Sequence, residues 1–389
     1  MSKVVRTIDM HTCGEPTRIV YQGFPHAEGT LLEQRAHARD NNDDVRRLLV
    51  REPRGHKEMY GAVLVPRTEC PAATVGMLFL TNEGYSTMCG HATLAVARLV
   101  IDSFRYHFLD DFVNRDNLWE DRAKAEVRLK LHVPCGLVTA VVPIERCWKD
   151  HEFQYDRSRP VSYLSVPSFA SGINIELPIP EKMRWAGLGT RQSIRVDVAY
   201  GGAFYIIVPV STVDPGASLS NPDWQALREM TTSLKSAFNA SEDLRASYLY
   251  HPDHTDLQFL YGVIVTDCTL GKPSAACAGA ETGVCFFADE QVDRSPTGSG
   301  VQARVAVAIA KGTRDLGMKW TYHSPVSNSF GGEGSFTGSA VETARVGERD
   351  AVIVQVSGYA EYTGFNTFLL KKDDRIGGGF VATESDELM

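Results

Sequence analysis

Two stretches of this 389-residue chain share one pattern, STMCGHATLAVARLVI (86–101) and DRSPTGSGVQARVAVAIA (293–310). Each has a chemically functional residue, then Gly, then a small or polar residue, then a long apolar run. The functional residue is Cys89 in the first stretch and Thr297 in the second. A helix that is apolar nearly all round is typical of a buried element. Each stretch therefore predicts a tight corner followed by a helix in the middle of a core.

Superposing Cys89 on Thr297, 208 positions later, brings similar segments into the same order along the chain. The matched pairs are CGEPTRIVY (13–21) with YGGAFYIIVPV (200–210), YGAVLVP (60–66) with YGVIVTD (261–267), and GMLFL (76–80) with GVCFF (283–287). These apolar, β-branched runs predict strands. We therefore predict an α/β (α+β) fold of two pseudo-symmetric domains, each a barrel-like layer of strands around a central helix. The expected domains are 1–190 and 191–389, and the last strands are free to return to the first domain.

Composition narrows the range of partners and locations. The net charge is −8 and no Lys/Arg cluster occurs, which argues against nucleic acid and anionic membranes as partners. The N-terminal residues lack the apolar segment of a secretory signal. Eight scattered cysteines without a CxxC pair are typical of reduced thiols, so we expect a cytoplasmic protein. Two stretches rich in polar residues, 103–124 and 147–162, are expected at the surface.

The predicted corners have a specific chemistry. A helix N-terminus presents unpaired backbone N–H groups and a partial positive charge. Gly directly after the corner residue lets the backbone approach a ligand closely. Such a corner binds an anion, for example a carboxylate, and it favours the thiolate of a cysteine placed there. The plainer alternative is that Cys89 is a small buried side chain at the start of a helix.

The two corners differ in what they can do to a proton. A thiolate is a workable base near neutral pH, whereas an aliphatic alcohol such as that of Thr297 is not. If both corners held one carboxylate, only the face next to Cys89 could lose or regain an α-proton. Racemisation by two bases needs both faces, so a site with one base favours elimination of a β-substituent.

Five motifs carry a family resemblance, and they are IDMHTCGEPTRIV (8–20), REPRGHKEMYGA (51–62), MCGHATLAVA (88–97), YGGAFY (200–205) and DRSPTGSG (293–300). In this order, and over nearly the whole chain, they resemble those of the proline racemase family. Thr297 departs from the pattern of the racemases and epimerases, which have a thiol at both corners or Ser in place of one. It is similar to the residue in the trans-3-hydroxy-L-proline dehydratase branch. The resemblance implies a diaminopimelate-epimerase-like fold, with two similar halves enclosing the site and with neither metal nor pyridoxal phosphate.

The resemblance also implies a role for each residue at the corners. Cys89 matches the thiol that abstracts the proton, and Thr297 is expected to position the 3-hydroxyl group or a water. The substrate-binding residues that it implies are Gly90, His91, Asp293, Gly298 and Ser299, with Asp293 facing the ring amine and the Gly298–Ser299 amides facing the carboxylate. Four other residues in loops resembling those of the family are better explained as scaffold, namely Glu15, Arg18, Arg54 and His56.

The expected activity is the dehydration of trans-3-hydroxy-L-proline, a step of hydroxyproline metabolism, to Δ1-pyrroline-2-carboxylate and water. The partner is a small molecule, and a homodimer is one open arrangement of the chain. Three alternatives stay open at this point. They are a proline racemase or hydroxyproline 2-epimerase, a hydrolase with Cys89 as nucleophile and His91 as base, and a binding protein without catalysis.

Overall fold

The structure is a computed structural model that describes residues 3–104, 107–145, 153–371, 373–374 and 376–381. The N-terminal strands and helices lead up to the first corner and continue beyond it. Their bounds are β1 Lys3–Thr12, β2 Glu15–Gln22, α1 Leu31–Asn41, α2 Asp43–Val50, β3 Gly61–Val65, β4 Val75–Leu80, β5 Tyr85–Ser86, α3 Gly90–Ser103, β6 Trp119–Asp121, β7 Glu126–Val133 and β8 Gly136–Pro143.

The elements that follow include the second corner. Their bounds are β9 Val161–Leu164, β10 Phe169–Pro178, β11 Ser193–Tyr200, β12 Phe204–Pro209, α4 Val210–Val213, α5 Trp224–Ala240, α6 Glu242–Tyr248, β13 Leu260–Asp267, β14 Gly279–Phe287, β15 Gln291–Val292, α7 Gly298–Ala310, β16 Trp320–His323, α8 Pro325–Ser329, β17 Phe336–Val346, β18 Arg349–Gly358 and β19 Glu361–Leu370.

Contacts between Cα atoms group the chain into two compact units. The first unit comprises residues 1–87, 91–161 and 360–389, and the second comprises 88–90 and 162–359. We expected the division at 190/191, but the contacts change unit at 161/162. The reason is pairing, because β9 pairs with β18 and β10 pairs with β11, both inside the second unit. The division into domains at 190/191 stays a prediction.

Strands of the first unit follow one another in the order β19–β1–β2–β3–β4–β7–β8. The pairings β2–β3 and β4–β7 are parallel, and the others are antiparallel. Helices α1 and α2 pack with β3 and β4 around a cluster of buried apolar side chains that includes Leu31, Leu49, Val63 and Leu80. Thr30 and Glu33 form a capping box that begins α1.

Strands of the second unit follow the order β10–β11–β12–β13–β14–β16–β17–β18–β9. Ser168, just before β10, also forms a bridge with Val352 of β18. The two ends of the strand order thus meet, and α7 contacts β10, β11, β12, β17 and β18. The second unit is therefore the predicted barrel-like layer of strands around a central helix.

The pairing pattern confirms the predicted duplication. In the first copy, β2–β3 is parallel, β3–β4 and β4–β5 are antiparallel, and β4–β7 is parallel. In the second copy, β12–β13, β13–β14, β14–β15 and β14–β16 repeat those four senses in the same order. Gly61 and Gly262 pair with the last residues of β4 and β14, Leu80 and Phe287. Topology and register agree, so both halves use one α/β plan.

Both helices that follow the corners are buried as predicted. Residues 90–101 of α3 and 298–308 of α7 are all buried. Each helix carries one arginine inside the protein: Arg98 pairs with Glu361 at 2.7 Å, and Arg304 pairs with Glu281 at 2.8 Å. A buried guanidinium requires such a partner, because an unpaired buried charge is strongly unfavourable.

The surface prediction for 103–124 was wrong for its apolar members. Phe104, Leu109 and Val113 are buried, since they are apolar side chains within a charged stretch. In the other stretch, 147–152 lies outside the described residues, and Val161 and Ser162 are buried in β9. None of the described helices is long and apolar enough to cross a membrane.

Candidate active site at the two glycine corners

The helices begin at the predicted corners. Helix α3 starts at Gly90 and α7 at Gly298, each one residue after the corner side chain. Cys89 is 3% exposed and Thr297 is 6% exposed, so both side chains belong to the interior. The N-terminal end of each helix is thus buried.

Gly90 and Gly298 are in direct contact within the second unit, which includes Met88–Gly90. A Cβ atom placed on Gly298 would lie 2.7 Å from the Cα of Gly90, and one placed on Gly90 would overlap the Cα of Gly298. No side chain fits at either position without moving backbone. The predicted requirement for glycine after each corner residue therefore has a steric cause: the first residues of α3 and α7 touch.

Thr297 has an unusual conformation for a β-branched residue. Its φ is +63° and its ψ is 92°, outside the regions that such side chains normally adopt. As the residue before α7 it could cap the helix, but its hydroxyl makes no capping hydrogen bond. Among the described residues, Oγ1 of Thr297 has no hydrogen-bond partner at all. A buried, unpartnered hydroxyl on strained backbone is typical of a functional position.

The first backbone N–H groups of α7, like the Thr297 hydroxyl, are available to a ligand. Within the part of the chain that the structure describes, the N–H groups of Gly298, Ser299 and Gly300 donate no backbone hydrogen bond, whereas Val301 donates to the carbonyl of Thr297 at 2.7 Å. The hydroxyl of Ser299 is held by the hydroxyl of Tyr205 at 2.6 Å. Ser299 is therefore oriented by its side chain and offers its backbone N–H, the group that an anion site uses.

Asp293 shapes the turn that leads into α7. Its Oδ1 accepts a hydrogen bond from the N–H of Ser295 at 2.7 Å, and Oγ of Ser295 accepts one from the N–H of Thr297 at 3.1 Å. The carboxylate is 4% exposed. Asp293 thus has a turn-forming role in the structure, and its predicted contact with a ring amine stays a prediction.

His91 belongs to the first unit and is 2% exposed. Its ring packs edge-on against Tyr60, with the ring centroids 4.7 Å apart. Its carbonyl accepts a hydrogen bond from Oγ1 of Thr12 at 3.1 Å. The turn of the β1–β2 hairpin therefore fixes the first turn of α3.

Two residues next to the corners were not predicted, Tyr163 of β9 and Gln302 of α7. The hydroxyl of Tyr163 would lie 2.5 Å from a Cβ on Gly90 and 2.7 Å from one on Gly298. Nε2 of Gln302 donates to that hydroxyl at 2.8 Å. The sequence signal for Gln302 was its polarity in an apolar helix, four residues after Gly298. Nothing local marks Tyr163, which lies 139 residues away from its partner.

The scaffold interpretation of Arg18 and Arg54 is confirmed. Arg18 pairs with Asp9 at 2.8 Å and donates to the carbonyls of Leu49 and Arg54 at 2.6 Å each. Arg54 donates to the carbonyl of Gly377 at 2.9 Å. These contacts fasten loops to strands. Within the described residues, no group of three or more His, Cys, Asp and Glu side chains is placed to hold a metal ion.

Comparison with known families gives a match over nearly the whole chain. The profile described as proline racemase matches residues 7–381, so the chain belongs to the proline racemase family.

Curated relatives show which members of the family this chain is similar to. The chain is 41% identical over 379 residues to trans-3-hydroxy-L-proline dehydratase of Homo sapiens, covering 97% of this chain and 94% of that protein. It is 42% identical over 378 residues to trans-L-3-hydroxyproline dehydratase of Bos taurus, covering 96% and 93%. The dehydratase of Burkholderia ambifaria is 32% identical over 387 residues, covering 98% and 99%. The family expected from the five motifs is therefore confirmed.

Solved structures confirm the fold class. A hydroxyproline epimerase from Agrobacterium vitis, with bound trans-4-hydroxy-L-proline, matches with a TM-score of 0.76 at 23% identity, covering 98% of this chain and 96% of that one. A probable proline racemase from Agrobacterium radiobacter matches equally well, at 22% identity over 97% and 96% of the two chains. At this identity the likeness concerns the fold.

Proposed function

We propose that this protein is a trans-3-hydroxy-L-proline dehydratase, a hydro-lyase that uses Cys89 as its single base. The observation that carries the proposal is the inequality of the corners, a thiol before Gly90 and a hydroxyl before Gly298. Relatives at 36–42% identity over most of the chain carry this name, which supports the same activity here. The epimerase alternative has a structural neighbour, but only at the level of the fold.

The substrate carboxylate binds at the backbone N–H groups of the corners. Those of Gly298 and Ser299 lie at the start of α7 without acceptors in the described structure, and Gly90 contributes the start of α3. Helix N-termini favour anions through these amides and through the helix dipole. Fixed donors of this kind also stabilise the negative charge that reaches the carboxylate when the α-proton leaves.

Elimination then follows from proton removal. The Cys89 thiolate takes the α-proton, and the electron pair of that C–H bond forms the C2–C3 double bond as the C3–O bond breaks. The leaving hydroxide takes a proton and departs as water. The enamine moves its N–H proton to C3 and becomes Δ1-pyrroline-2-carboxylate. One water is lost for each substrate, and no oxidation occurs.

The stereochemistry of the substrate indicates which group protonates the leaving hydroxyl. In the trans isomer the 3-hydroxyl lies opposite the carboxylate, and it therefore shares a ring face with the α-proton. The thiol of Cys89, once protonated, is on that face and can return its proton to the departing oxygen. Thr297 then belongs to the other face, where its unpartnered hydroxyl would hold a water rather than the 3-hydroxyl.

The remaining predicted residues bind the amine. Asp293 carries a buried carboxylate four residues before Thr297, and His91 directly follows Gly90. In the proposed site Asp293 faces the ring ammonium of the substrate, and the contact of His91 with the amine stays a prediction. A carboxylate and an ammonium excluded from water attract more strongly than in solution.

Incubation of the purified protein with trans-3-hydroxy-L-proline tests the activity directly. The cyclic imine product is trapped with o-aminobenzaldehyde and followed by its colour. We expect product from wild type and none from Cys89→Ala. Optical inversion of trans-4-hydroxy-L-proline in place of imine formation would instead identify an epimerase.

Location and assembly are part of the proposal. We expect the protein in the cytoplasm, and a homodimer stays one open arrangement of the chain. Light scattering coupled to size exclusion measures the molar mass, and a value near 42.8 kDa, that of one chain, would contradict the dimer.

A further inference from the structure

Tyr163 and Gln302 form a buried hydrogen-bonded pair that touches both corners. Nε2 of Gln302 donates to the hydroxyl of Tyr163 at 2.8 Å, and both residues are fully buried. The same hydroxyl is the nearest side-chain atom to the missing Cβ positions of Gly90 and Gly298. A polar group is thus placed against the point where the first residues of α3 and α7 meet.

The pair connects this contact to α7 itself. Gln302 follows Gly298 by four residues, and side chains four apart lie on one face of a helix. Its side chain therefore runs back along α7 towards the corner, where it meets a residue of β9. Because β9 pairs with β18, the backbone of Tyr163 is held by the sheet, whereas its hydroxyl accepts the hydrogen bond from Gln302 of α7.

In the part of the chain that the structure describes, the Gln302 amide has one hydrogen-bond partner, the hydroxyl of Tyr163. Among the described residues, Oε1 of Gln302 has no hydrogen-bond partner, so the bond from Nε2 is what holds the amide in the interior. A buried amide that loses its last partner is strongly unfavourable. Loss of the Tyr163 hydroxyl would therefore displace Gln302 as well as open space beside both glycines.

We propose that Tyr163 and Gln302 are positioning residues that set the separation of the Gly90 and Gly298 amides and so set the affinity for the substrate carboxylate. The inference rests on the proposed function, because it assumes that these amides bind the carboxylate. Displacement of these amides would weaken the hydrogen bonds that they donate to the carboxylate, since such bonds depend on distance and angle. The pair touches no reacting atom, so its loss should weaken binding more than it slows the chemical step.

The test compares Tyr163→Phe and Gln302→Met with Tyr155→Phe. Tyr155 is a matched control, since it is buried to a similar extent and its hydroxyl donates a hydrogen bond of 2.8 Å to the carbonyl of Arg159. Three quantities are measured for each variant: KM and kcat with trans-3-hydroxy-L-proline, the Kd of L-proline by calorimetry, and Tm. L-proline has the carboxylate and the amine but no hydroxyl to eliminate.

For Tyr163→Phe and Gln302→Met we expect KM and the Kd of L-proline to rise about tenfold, with kcat reduced less than threefold. Tyr155→Phe should lower Tm as much while leaving KM and Kd within twofold of wild type. The double variant should be no worse than the worse single variant. The proposal is overturned if KM and Kd of the two variants stay within twofold of wild type, or if Tyr155→Phe changes them equally.

Calorimetry separates this proposal from the proposed function. If wild type binds L-proline but forms no imine, the dehydratase assignment fails. The Kd of L-proline for each variant, compared with that for wild type, still decides the role of the pair. If wild type forms the imine but each variant binds L-proline with nearly the Kd of wild type, the positioning role is refuted and the dehydratase assignment stands.

Discussion

The first corner, at Cys89, and the second corner, at Thr297, are two copies of one structural unit that differ in chemistry. In both copies a parallel and an antiparallel pairing lead through a short strand to a helix that starts at glycine. In both, the turn of a preceding hairpin contacts the first helical turn, through Thr12 at the carbonyl of His91 and through Gly201 at the carbonyl of Ser299. The backbone plan is thus repeated, while the residue before glycine is free to differ.

Under the proposed function, the difference between Cys89 and Thr297 would let a duplicated fold catalyse a reaction on one face of its substrate. Two equal corners would treat both faces of an amino acid alike. In the proposed mechanism, a thiol at one corner and a strained, unpartnered hydroxyl at the other would give one face of the substrate a base and the other face a neutral hydrogen-bonding group. The predictions below test this inequality, from the largest expected effect to the smallest.

Cys89→Ala removes the only proposed base. We expect kcat for imine formation to fall by at least about 10³-fold, in line with the contribution of a positioned base. The Kd of L-proline should change less than threefold, because the backbone amides remain. Turnover close to that of wild type would refute the role of Cys89.

Substrate stereochemistry tests the same face with unchanged protein. In cis-3-hydroxy-L-proline the hydroxyl lies on the face opposite the α-proton, out of reach of the Cys89 thiol. We expect imine formation from the cis isomer to be about 10²-fold slower than from the trans isomer, through loss of general acid catalysis. Equal rates would show that the leaving group is protonated from elsewhere.

Gly90→Ala tests the contact between the corners. The added methyl group would overlap the Cα of Gly298, so we expect kcat/KM to fall about 30-fold, between the tenfold and the hundredfold effects of misplacing a reacting group. Gly84→Ala is the control, because a Cβ there has nothing within 4 Å. Similar losses in both variants would mean that glycine matters for some reason other than this contact.

Thr297→Cys makes the corners chemically alike. We expect slow conversion of L-proline to D-proline, absent in wild type and well below the rate of imine formation. Chiral chromatography detects the product. Complete absence of D-proline in a folded variant would argue that Thr297 does not face the α-carbon.

Thr297→Gly should change stability in the favourable direction. Relief of the backbone at φ +63° and removal of an unpartnered buried hydroxyl are each expected to stabilise the fold. The backbone entropy of glycine and the loss of the buried Thr297 side chain oppose this. We expect a net gain of about 1 kcal/mol in the free energy of unfolding, measured by urea denaturation. A loss of that size would show that Thr297 is placed for stability.

Much of this arrangement was predictable from local sequence. Apolar β-branched runs indicated the strands, and the apolar stretches after Gly90 and Gly298 indicated the two buried helices. The repeated order of segments predicted the repeated pairing. The corner residues were predictable because a functional residue followed by glycine at the start of a helix is typical of an anion site.

Long-range pairing could not be predicted in this way. The grouping of 162–190 with the second unit depends on β9 meeting β18, almost 200 positions later. The Tyr163–Gln302 hydrogen bond is likewise a contact between distant residues, and a single tyrosine in a short strand gives no sign of it. The unusual φ of Thr297 is also invisible in the sequence, since threonine normally avoids it.

The most direct test of the unequal corners is the fate of L-proline in D2O with wild-type protein, followed by proton NMR and chiral chromatography. We predict that any deuterium appears at the α-carbon with full retention of the L configuration, because only the Cys89 face exchanges protons. Formation of D-proline at a rate comparable to imine formation from trans-3-hydroxy-L-proline would contradict the account.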